Sequence, residues 1–166
     1  DRLASATEDG ATGKDPYLIS WLFVDDDGGL LGAASLRLGQ RVKCWYAKLG
    51  IATKLGSERF GVNAIFNIAW EEGFKFAEER GYYELYFHQR IGRYRQMEKT
   101  LQEAEYLKNY KIDLVETMPP FTPSVNPLIN QFLLGPTSGL NPRPTVIVRI
   151  YNPEYVKYEY PYTQKN

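Results

Sequence analysis

One cysteine, Cys44, and one histidine, His88, are all that 166 residues supply of the side chains most used for nucleophilic attack, proton shuttling near neutral pH and metal capture. A single thiol excludes an intramolecular disulfide, and no Asn-x-Ser/Thr sequon occurs, so an intracellular, reducing compartment is expected. The same scarcity excludes a His/Cys metal cage built by one chain. Net charge is missing too. Twenty Lys and Arg are matched by twenty Asp and Glu, which leaves no global field to draw nucleic acid or an anionic membrane onto the surface. The longest near-continuous apolar run, residues 17–24, falls far short of the roughly 20 residues a transmembrane helix needs. Phosphate loops of the Gly-x-x-x-x-Gly-Lys-Ser/Thr kind, His-Glu-x-x-His, Gly-x-Ser-x-Gly and Cys-x-x-Cys are all absent.

What is abundant is aromatic side chains: thirteen Tyr, eight Phe and three Trp, which bury large apolar areas and keep a polar handle. Residues 1–16 lack an apolar period and read as a flexible arm. Residues 17–24 then suit a buried strand or short helix, and Asp25-Asp26-Asp27-Gly28-Gly29 stops it with turn chemistry. A calcium loop does not fit that stretch, because the sixth and twelfth positions from Asp25 are Leu30 and Leu36. A helix is expected over 33–55. Ser57 caps a further one, with Phe60, Ala64, Ile68 and Ala69 inward and Glu71, Glu72 and Lys75 outward. Beyond Gly81, Phe87, Ile91, Tyr94, Met97, Leu101, Ala104 and Leu107 form one stripe, which predicts a helix over 83–110.

Nine of the ten prolines fall from Pro119 to Pro161, so 117–144 reads as extended connectors. Thr145-Val146-Ile147-Val148-Arg149-Ile150-Tyr151 is β-rich and residues 156–160 alternate, giving a β-hairpin over 145–160 or an extended tail. The expected fold is therefore mainly α: a flexible arm at 1–16, a helical domain at 17–116 and a Pro/Tyr-rich tail at 117–166.

Chemistry is thinly marked. Arg41 and Lys43 beside Cys44 would favour a thiolate, making Cys44 the candidate reactive or chromophore-bearing thiol; a semi-buried thiol beside Trp45 and Tyr46 is the plainer reading. Two further readings stay open: a small enzyme working through Cys44 or carboxylates such as Glu71 and Glu72, and an RNA-associated subunit using Arg90, Arg93, Arg95 and Lys99. Arg with Tyr is also the pairing most enriched at protein interfaces. Arg90, Arg93 and Tyr94, with Tyr151, Tyr155, Tyr158, Tyr160 and Tyr162 in the tail, are accordingly the candidate partner-binding residues.

Glu84, Leu85, Phe87, Ile91, Gly92 and Arg93, in that spacing, resemble a segment of phycobilisome linker domains, although the family continues Gly-Arg with Ala-Pro and this chain with Tyr94-Arg95. The resemblance implies a non-catalytic linker that organises a large light-harvesting assembly. Its partners would be phycobiliproteins. It would need no cofactor of its own while touching their bilin chromophores, and it would sit in the plastid stroma, or in a cyanobacterial cytoplasm, at the thylakoid surface.

Overall fold

The computed structural model describes residues 18–24, 26–38, 45–48, 67–134 and 141–162. The expected arm at 1–16, Cys44, and the proposed cap Ser57 with Phe60 and Ala64 lie outside them. The chain divides into two compact units, Asp1–Tyr82 and Tyr83–Asn166.

In the first unit, Leu18–Val24 (β1), Leu30–Leu38 (β2) and Trp45–Lys48 (β3) pair antiparallel in sequence order. The β1–β2 hairpin turns at Asp26 and Asp27, and Gly28 follows at φ 81, a left-handed conformation that costs glycine nothing. Along β2, Leu36 and Leu38 are buried at the two-residue period of a strand. The helix expected over 33–55 is thus overturned. Residues 67–78 are helical (α1), and Ala69, Trp70, Phe74 and Ala77 are buried at three- and four-residue spacing. Gly81, at φ 78, closes α1: its N–H donates to the Glu78 carbonyl and the Tyr82 N–H to the Ala77 carbonyl, each at 3.0 Å. This pair of bonds uses up two carbonyls that the last turn leaves open.

In the second unit, Glu84–Arg90 (β4) runs directly into Ile91–Glu103 (α2). A 3-10 turn at Glu105–Leu107, strand Lys111–Met118 (β5), a π-helical stretch at Ile129–Leu134 and strand Thr145–Tyr151 (β6) follow. β6 pairs antiparallel with β4 on one side and β5 on the other. Its first six residues are buried, as expected for a strand flanked by two others. One face of these strands is apolar, with Leu85, Phe87, Val146, Val148 and Ile150 buried. The Phe87 ring lies 6.3 Å from that of Tyr94, which with Met97 and Leu101 forms the buried stripe of α2.

Three expectations fail here. The chain is built on antiparallel sheet with a few helices and is not mainly α. The segment 83–110 is not one helix, since its first turns are β4. Nor does 145–160 form a hairpin. β6 is a middle strand, and after it Asn152 accepts the N–H groups of Tyr155 and Val156 on its carbonyl, turning the chain into a strap over 152–162.

Candidate functional site

The corner between β4 and α2 is chemically exposed. Arg90, the residue before the helix, has φ −59 and ψ 138, and no side chain caps the first turn, which also lacks an acidic residue. The Ile91 N–H donates to the Pro144 carbonyl at 3.1 Å, which ties the corner to the start of β6. Gly92 follows, and a Cβ there would meet nothing within 4 Å. Gln89, Arg90, Ile91, Gly92, Arg93 and Gln96, with Arg143 and Pro144 from the turn before β6, line a cleft of about 520 Å³.

Among the described residues, three arginines line this cleft and no Asp or Glu does. Arg93 Nη1 lies 3.5 Å from Gln96 Oε1. Cations at a helix N-terminus oppose its partial positive charge, so the arrangement does not serve stability. It suits an anion, which helix N-terminal N–H groups and arginine forks both accept. Arg143 is aimed by Asn141, whose Oδ1 accepts the Arg143 N–H at 3.0 Å and whose Nδ2 donates to Thr145 Oγ1 at 2.9 Å.

The opposite face of the same strands is polar and sealed. Arg149 Nη2 donates to Glu84 Oε2 at 3.2 Å and to the Tyr158 carbonyl at 3.0 Å, and the Tyr158 hydroxyl donates to the same Glu84 oxygen. Glu84 and Arg149 are both buried. The guanidinium also lies 4.0 Å over the Tyr151 ring. Burial pushes the Tyr86 hydroxyl well above its ordinary range, and the Glu84 carboxylate adds to this. For Arg149, burial works to lower the pKa, but Tyr86, Glu84 and Tyr158 outweigh it and hold the guanidinium charged.

Of the second-unit residues singled out in sequence, Arg90 and Arg93 line the cleft, and Tyr94, Arg95, Lys99 and the tail tyrosines are not among its lining. Arg95 and Lys99 are exposed along α2, and Tyr94, 2% exposed, belongs to the core. Tyr155 stacks on Tyr83 at 3.9 Å, Tyr158 is on Glu84, and Tyr160 accepts from Asn126 Nδ2 at 3.1 Å and meets the Tyr162 ring edge-on at 6.0 Å. Glu71 and Glu72 face solvent on α1 beside Lys75, and His88 is exposed on β4. Gln89, Gln96 and Arg143 were missed. Arg143 stood between two prolines and looked like a connector, but Gln89-Arg90-Ile91-Gly92 after a run of buried residues carried a strand-to-helix signal.

No protein-family model matches the chain, and neither does any curated protein. Solved structures do. The chain is similar to the spermidine/spermine N-acetyltransferase SpeG of Vibrio cholerae in its complex with manganese ions, with a TM-score of 0.54 and 11% identity over 90% of this chain and 74% of that one. The same is true of the SpeG complex with CoA and spermine, with a TM-score of 0.53 and 12% identity over 89% and 73%. The fold is that of the GNAT acetyltransferases.

This likeness overturns the phycobilisome linker and with it the light-harvesting, non-catalytic role. The physical reason lies in the segment that suggested it. Glu84, Leu85 and Phe87 are strand residues of β4, whereas Ile91, Gly92 and Arg93 open α2, so the spacing crosses a corner instead of following one helix. Among the described residues no helix is long and apolar enough to cross a membrane.

Proposed function

We propose that the chain is an N-acyltransferase that moves an acetyl group from acetyl-CoA to a primary amine. The observation that carries this reading is the likeness to SpeG over about nine-tenths of the chain. A fold alone hosts many chemistries, so the arginine-lined cleft matters as independent support. The thioester carrier is a polyanion, and three guanidinium groups with an uncapped helix N-terminus fit its phosphates. In the reaction the amine nitrogen attacks the thioester carbonyl carbon, the N–C bond forms and the C–S bond breaks. The amine gives up a proton and the departing thiolate takes one. No covalent intermediate on the protein is required, so neither Cys44 nor any other nucleophile is needed. Holding amine and thioester in line supplies much of the acceleration.

The test is release of free CoA thiol from acetyl-CoA in the presence of a panel of amines: spermidine, spermine, lysine and peptides with free N-termini. Release that depends on the amine, with the acetylated amine found by mass spectrometry, is expected. Absence of both release and CoA binding would remove the proposal.

A further inference from the structure

Among the described residues β5 has a strand neighbour on one side only, β6, and its other edge is open. Which backbone groups face that edge follows from the register. The Asn152 N–H donates to the Tyr83 carbonyl at 2.9 Å, and the Ile91 N–H donates to the Pro144 carbonyl at 3.1 Å. Even-numbered residues along β6 therefore turn their backbone groups to β4, and odd-numbered ones turn theirs to β5. Lys111 and Asp113 stand opposite Tyr151 and Arg149, so they bond inward. Ile112 and Leu114 hold their N–H and C=O groups outward, where no described residue takes them up.

An open strand edge invites another strand, and proteins commonly guard such edges with charge or with a bulge. The register shift between Leu114 and Glu116 guards the second half of β5. The first half carries a different pattern. Lys111 and Asp113 are exposed on one face and make no ion pair among the described residues, while on the other face Ile112 is half-buried and Leu114 is 47% exposed. Opposite charges two residues apart on one edge are complementary to themselves under a twofold axis. With the axis through Ile112, Lys111 of each chain lies directly opposite Asp113 of the other, and cross-strand pairs of opposite charge are favourable. Ile112 meets its own copy and exchanges both N–H···O bonds with it, which leaves the Lys–Asp positions as the non-bonded pairs, whose side chains stand closest. An axis through Asp113 fails on both counts, because its backbone groups face β6 and its two carboxylates would meet.

From the outward backbone groups of Ile112 and the flanking charges of Lys111 and Asp113 we infer that the open edge of β5 associates with a second copy of this chain. The two β5 strands pair antiparallel about Ile112, so the sheet of one second unit continues into the other. Such a contact is isologous and closes on itself, which gives a dimer and not a fibre. It holds whatever reaction the chain performs. So short a pairing covers less than the roughly 1,200 Å² of a standard stable interface, so the dimer belongs to micromolar concentrations.

The experiment is sedimentation equilibrium of the full chain, with the mass expected to rise from that of one chain toward that of two between about 1 and 300 μM. Lys111→Asp and Asp113→Lys each set two like-charged pairs across the axis and should weaken association about tenfold or more. An equimolar mixture of these two variants brings opposite charges together again, and its heterodimer should form about as tightly as the wild-type dimer. Ile112→Pro removes an N–H that the fold leaves outward, which an edge strand tolerates. This variant should stay monomeric while its thermal melt remains cooperative; if it does not fold, the mixture decides. A wild-type chain that is monomeric throughout that range overturns the inference. Association that persists unchanged in Lys111→Asp or in folded Ile112→Pro overturns it too, because another surface then carries the contact. A mixture that associates no more tightly than either variant alone has the same consequence.

Discussion

Glu84 and Arg149 are two charges withdrawn from water, and each is tolerated because the other is present. Arg149 donates through one nitrogen to both Glu84 and the Tyr158 carbonyl, and Glu84 collects both the guanidinium and the Tyr158 hydroxyl on one oxygen. Removing one member leaves an uncompensated buried charge, which costs about 3–5 kcal/mol. Glu84→Ala should therefore lower urea stability by that amount, whereas Glu84→Leu combined with Arg149→Met should recover most of it. A double variant as unstable as the single would show that the pair contributes more than mutual neutralisation. The tyrosines add a pH signature. Burial, and after it the Glu98 carboxylate, push Tyr94 up to about 12 from 10.0. A group whose pKa is raised by folding contributes stability that is fully present below the unfolded value and is lost as pH rises through the folded one. Stability should accordingly fall between pH 10 and about pH 12, less steeply in Tyr94→Phe, as read from alkaline unfolding followed by phenolate absorbance.

The corner where β4 becomes α2 shows what could be read in advance and what could not. The stripe Tyr94, Met97 and Leu101 was visible at helical spacing and is the buried face of α2. Leu101→Ala should cost about 2–5 kcal/mol in denaturant unfolding, as for a buried leucine; a loss under about 0.5 kcal/mol would place that side chain outside the core. The same stripe misled one step earlier. Phe87 and Ile91 continue it at four-residue spacing, yet Glu84 to Phe87 are buried without interruption. A strand covered on both faces loses its two-residue alternation and cannot be told from a buried helix by periodicity. β2 was hidden differently, because Ala33, Ala34 and Ser35 have little β preference and only pairing with β1 and β3 makes them strand. For the site, Arg90 and Arg93 were legible as a basic string on one element. Arg143 was not, because it reaches the cleft through the pairing of β4 with β6, a long-range fact.

Across the second unit, β6 decides cohesion. It contributes the pairing partner of both β4 and β5, and Arg149, Val146, Val148 and Ile150 come from it. Truncation after Asn141, which an extended tail would survive, should therefore abolish the cooperative unfolding of residues 83–141, with their amides exchanging at the rate of an unstructured chain. Protected β4 amides in the truncated protein would show that β4 has another source of order.

The placement of β6 also bears on how the chain is made. A ribosome delivers β4, α2 and β5 well before Thr145 appears, and during that interval both strands lack the one that joins them. Only local helix and the turn at Glu105–Leu107 can form early. The nascent second unit therefore exposes unpaired strand edges, with Leu85 and Phe87 uncovered, until its last-made strand threads between two older ones. Its yield in a cell should depend on chaperone capacity more than the stability of the finished fold suggests.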